Sequence, residues 1–121
     1  MAGDPFARRE RPIPVVVVTR AEARPADAAG TAVIVLGAGA HDHAAGQDCA
    51  ACSASGDVRA HLFDLGERIR AGDLAVPERI LVDASRVRDA RRVVEAVAGR
   101  LPATALRDHA VARNFRLAEV L

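Results

Sequence analysis

Four consecutive valines stand inside the run Ile13–Thr19, IPVVVVT, and they restrict the fold more than any other feature of the chain. A strand with one wet face alternates apolar and polar residues. A β-branched run without alternation needs apolar cover on both faces, as strands of a parallel sheet have. Ala32–Leu36 and Arg79–Asp83 read the same way, and Arg116–Leu121 begins a fourth strand.

Helical periodicity fills the gaps between these runs. Val58, Leu62, Leu65 and Ile69 recur at spacings of four, three and four, which places them on one helical face. Ser55 suits the N-cap, Asp57 favours the positive end of the helix dipole, and Gly72 suits the stop. A second helix is predicted over Arg86–Ala98, capped by Ser85 and carrying Val87, Ala90, Val94 and Val97 as its apolar stripe. Gly99 and Pro102 end it, and a shorter helix fits Ala103–Asn114. The alternation predicts a small three-layer α/β domain with a mostly parallel sheet.

The connection Arg20–Thr31 is the least regular part of this scheme. Pro25 suits the first turn of a short helix and Gly30 its end. A parallel crossover takes about a dozen residues, so this one is minimal, and an antiparallel pairing of the first two strands stays open. Residues 1–12, charged and proline-bearing without periodicity, read as a flexible tail; 13–121 read as one domain.

Composition narrows the functional classes. The 17 basic residues are all arginine, they nearly balance 16 acidic ones, and the net charge is +1. Nothing global argues for nucleic acid or an anionic membrane. Arg8-Arg9 before Val15–Val18 resembles an export signal, but Pro14 interrupts an apolar run already too short for one. No stretch approaches the roughly 20 apolar residues of a membrane span. Two cysteines at C-x-x-C spacing suit metal or redox chemistry in a reducing compartment, and the expected location is cytoplasmic.

Three groups of residues carry candidate chemistry. His41, His43, Cys49 and Cys52 fall within residues 41–52, and two imidazoles with two thiolates make a tetrahedral zinc set. A redox dithiol and inert loop residues are the competing readings. Asp83, Ser85 and Asp89 follow the third strand, where a parallel sheet binds ligands and a carboxylate can hold a Mg²⁺-bound water. Strand termination and helix capping require these same residue types. Arg86, Arg88, Arg91 and Arg92 suit a phosphate or an acidic partner, or simply a solvated face. His61 and His109, on predicted helices, read as solvent-facing. Gly37-Ala38-Gly39 after the second strand lacks the third glycine of a dinucleotide motif, because Asp42 takes its place; it reads as a strand exit.

The order PIPVVVVT, AVIV, CAACSASGDV and helix resembles the amino-terminal half of the CobW family of P-loop GTPases, which are associated with metal delivery. That family's C-x-C-C is matched by Cys49 and Cys52, with Ala51 in place of the middle cysteine; its G-D-L is matched by Gly56-Asp57-Val58. Its E-T-S-G-L-A-D-P resembles Asp83–Ala90, where Ser85 and Asp89 are identical and Asp83 is a conservative change. Asn114–Leu121 resembles the approach to a later strand, so the likeness spans Ile13–Leu121 in order.

The departures concern the phosphate machinery. A P-loop needs glycine amides around the phosphates and a lysine on them, whereas Thr19 is followed by RAEARPADAAGT and the chain has no lysine. The resemblance therefore implies a truncated, degenerate G-domain scaffold in which GTP, Mg²⁺ and GTP hydrolysis do not carry over. The metal motif carries over in part, with His41 and His43 as replacement ligands. The expected function is a non-catalytic, zinc-handling metallochaperone-like protein, with a metalloprotein client or a second copy of the chain as partner. A ligand-free interaction module and a weak GTP-binding protein are the alternatives.

Overall fold

The computed structural model describes residues 12–37 and 57–121. Four strands, β1 (Ile13–Val18), β2 (Thr31–Val35), β3 (Arg79–Asp83) and β4 (Phe115–Val120), form one sheet in the order β2-β3-β1-β4. Every pairing is parallel, so all four carboxyl ends lie on one side. The helices are α1 (Val58–Arg70), α2 (Ala90–Val97) and α3 (Leu106–Asn114). This is the small α/β domain the sequence predicts. β3 lies between β1 and β2, so the first two strands do not pair with each other, antiparallel or otherwise.

The unbroken apolar runs are explained by burial on both faces. Ile13, Val15 and Val17 join Ile80, Val82 and residues of all three helices in the main core, while Val16, Val18 and Leu81 form a second cluster on the opposite face. Val58, Leu62, Leu65 and Ile69 are the buried stripe of α1, as their spacing predicts, and Gly72 stops the helix with φ +81°.

Three local expectations are corrected. No helix follows Pro25: the β1–β2 connection carries only a 3₁₀ turn, Ala21–Ala23. Residues 19–30 must return the length of a strand, about 20 Å, and cross over β3, about 10 Å, and a helix rises only about 1.5 Å per residue. The capping residue of α1 is Asp57, whose Oδ1 accepts from the amides of Arg59 and Ala60 at 3.1 and 3.3 Å. Ser55 lies outside the described residues. Helix α2 starts at Ala90 under an Asp89 cap, not at Arg86 under Ser85, because the Ser85 amide and hydroxyl are both committed to Asp83. The expected stripe holds, with Val97 buried and Val87, Ala90 and Val94 partly buried against the core, and Val93 is buried beside it.

β4 begins one residue earlier than expected and carries a bulge. Val15 pairs with Leu117 and Val16 with Glu119, which leaves Ala118 unpaired. Thr19 ties the end of β1 to the end of β4, its amide and hydroxyl both donating to the Leu121 carbonyl at 2.7 Å. No helix among the described residues is long and apolar enough to cross a membrane.

Candidate functional site

The strand order fixes where a ligand crevice can form. From β1 the chain goes to one edge of the sheet, and from the adjacent β3 it goes to the other. Such a reversal opens the crevice outside the carboxyl ends of those two strands. Asp83 stands there, in register with Val18 of β1 and Val35 of β2, and it is only 7 % exposed.

Both of its carboxylate oxygens are hydrogen-bonded. Asp83 Oδ1 accepts from the Ser85 amide at 3.0 Å and the Ser85 hydroxyl at 2.6 Å. Asp83 Oδ2 accepts from Arg24 Nη1 at 2.9 Å, while Arg24 Nη2 reaches Asp27 Oδ1 at 3.2 Å. Burial pushes the Asp83 carboxyl up, but the Ser85 hydroxyl, the Ser85 amide and Arg24 together outweigh it and hold the group below the usual carboxylate range. The bonds to Asp27 and then Asp83 raise the Arg24 guanidinium further. Asp83 shares a face with Leu81, the face opposite the helices, so Arg24 brings the β1–β2 connection across that face as the third layer.

The structure thus brings Asp83 and Ser85 together and gives Asp89 a separate role, as the residue accepting from the Arg92 amide at 3.2 Å. Arg86, Arg88, Arg91 and Arg92 are all exposed, the first two ahead of α2 and the others in its first turn; Arg91 pairs with Glu95 at 3.2 Å. His109 is exposed and His61 half-buried.

His41, His43, Cys49 and Cys52 lie outside the described residues, as do residues 1–11. Among the described residues no group of three or more His, Cys, Asp or Glu could hold a metal ion. The two ends of the connection that carries them are well defined. It leaves β2 through the fully buried Leu36, whose amide donates to the Asp83 carbonyl at 3.0 Å. Gly37 follows with φ +76°, a left-handed conformation that selects glycine.

The connection returns at Asp57, and a network of charges holds that end. Asp57 Oδ2 pairs with Arg107 Nη2 at 2.8 Å. Arg59 Nε and Arg107 Nε lie 3.6 and 3.7 Å from Asp108 Oδ1, and Arg59 Nη1 donates to the Pro102 carbonyl at 3.1 Å. Asp108 Oδ2 accepts from the Thr104 amide and hydroxyl at 2.8 and 3.1 Å. Among the described residues Asp108 Oδ1 and Arg107 Nε are buried without a hydrogen-bond partner, and they face each other across this ion pair. The cluster clamps the start of α1 to the start of α3.

Sequence reasoning missed Arg24 and this clamp. Arg24 sits 59 residues from Asp83 in a stretch without periodicity, and nothing local announces the contact. Asp57 was legible as a dipole partner; as a residue type favoured at N-caps, it also carried the signal for its actual role. No protein-family model, curated protein or solved structure matches the chain.

Proposed function

We propose that this chain is a non-catalytic metal-binding protein that handles zinc through Cys49 and Cys52, with His41 or His43 completing the ligand set. One observation carries the reading: a C-x-x-C pair and two histidines occupy residues 41–52, on the connection between the buried end of β2 and the clamped start of α1. Both ends of that connection are at the carboxyl side of a parallel sheet, the side on which α/β domains hold ligands. The resemblance of this stretch to the CobW cysteine motif supports a metal-delivery role, with a metalloprotein client as recipient and a reducing cytoplasm as the setting.

The arrangement of the crevice supports the non-catalytic reading. Asp83, the carboxylate placed to hold a Mg²⁺-bound water, is bonded to Arg24 and Ser85, and the chain has no lysine to meet phosphate. Weak GTP binding is therefore the less favoured reading. A ligand-free interaction module is favoured by one feature, the outer edge of β4, which is unpaired among the described residues.

Thiolate ligation displaces protons, so a zinc titration in weak buffer tests the proposal directly. Zinc should release protons from the wild type and far fewer from the C49S/C52S variant. Equal release from both proteins contradicts it.

A further inference from the structure

We propose that two copies of this chain associate through antiparallel pairing of their β4 strands, which joins their sheets into one of eight strands. The inference starts from the bulge at Ala118. In a regular strand Arg116 and Glu119 would point to opposite faces. Because Ala118 drops out of the pairing, Arg116 stands beside Pro14 and Glu119 beside Val16, and both side chains take the same face of the sheet. Phe115 and Val120, beside Ile13 and Val17, take the other.

β4 is an edge strand, bonded to β1 on one side only among the described residues. Arg116, Ala118, Glu119 and Val120 are exposed, Val120 at 45 %. Neither Arg116 nor Glu119 has an ion-pair partner among the described residues. An open edge of this kind is a template for another strand.

The charges select which strand. A twofold axis between Leu117 and Ala118 sets Arg116 opposite Glu119 of the second copy and Glu119 opposite Arg116 of the second copy. Opposed residues of an antiparallel pair share a face, as these do. The same register sets Val120 opposite Phe115 of the second copy, again on one face. Parallel, in-register pairing would instead set Arg116 beside Arg116. Pairing with the other edge, β2, offers no charge at all across Thr31–Val35 and gives a contact that does not close. Only the twofold antiparallel arrangement satisfies both charges and terminates at two chains.

Sedimentation equilibrium on the full chain and three variants tests this. The wild type should dimerise. R116E and E119R should each weaken the dimer about tenfold or more, since either change turns two attractive pairs into two repulsive ones. R116E/E119R should restore it, because the swapped charges are again complementary. Circular dichroism checks that each variant is folded. A wild type that stays monomeric, a dimer indifferent to both single changes, or a double variant no tighter than the singles overturns the proposal.

Discussion

Arg24 and Asp83, 59 residues apart in sequence, meet at 2.9 Å over the carboxyl ends of β1 and β3. The contact closes the one crevice that the strand order creates, and it draws the β1–β2 connection onto the sheet. Its consequence for function is that the carboxylate best placed for ligand chemistry already has its partners.

Removing the carboxylate should therefore cost stability rather than zinc binding. Asp83→Ala strips the acceptor from the Ser85 amide, the Ser85 hydroxyl and Arg24 at once. We expect a loss of about 2 kcal/mol by urea denaturation, in the range for hydrogen bonds to charged groups. Arg24→Met should leave a buried carboxylate with one partner fewer, and NMR titration should show the Asp83 pKa rising.

Acid should unfold the protein through two carboxylates. Asp83 is lowered despite its burial, and Asp108 is lowered chiefly by the Thr104 amide, against burial, with the Thr104 hydroxyl and the Arg59 charge adding to it. Both folded-state values lie below the unfolded one, near ~4. The stability they supply is complete above that value and is lost as pH falls through the folded values. The urea midpoint at pH 3 should be lower than at pH 7, and D83N/D108N should show a shallower decline over that range. An unchanged slope contradicts the assignment.

The start of α1 depends on Asp57, which caps the helix and pairs with Arg107. Asp57→Ala should cost about 1 kcal/mol from the cap. Arg107→Ala, which keeps the cap, should cost less, and a double-mutant cycle separates the two contributions.

These residues mark how far the sequence could be read. The sheet was legible because β1, β2 and β3 are built on apolar runs without polar alternation, and only burial on both faces accommodates four valines in succession; β4, with Arg116 and Glu119 inside it, gave a weaker signal. Helix α1 was legible because four residues share one helical face. The start of α2 was not, because Ser85 and Asp89 are both capping types and only the position of Asp83 in space decides between them. The Arg24 contact and the Asp57–Arg107–Asp108–Arg59 clamp were invisible for another reason. They join residues distant in sequence, and periodicity reports only on neighbours along one element.

GTP with Mg²⁺ should leave the melting temperature unchanged. A nucleotide that binds only the folded chain stabilises it by mass action, and the chain lacks the lysine that would hold phosphate. A concentration-dependent rise would return the crevice to consideration as a nucleotide site.

The zinc proposal is tested most directly by the metal content of protein purified without added metal, measured beside C49S/C52S. The account predicts about one zinc per chain in the wild type and almost none in the variant. No metal in either protein, even after zinc is supplied under reducing conditions, would contradict it.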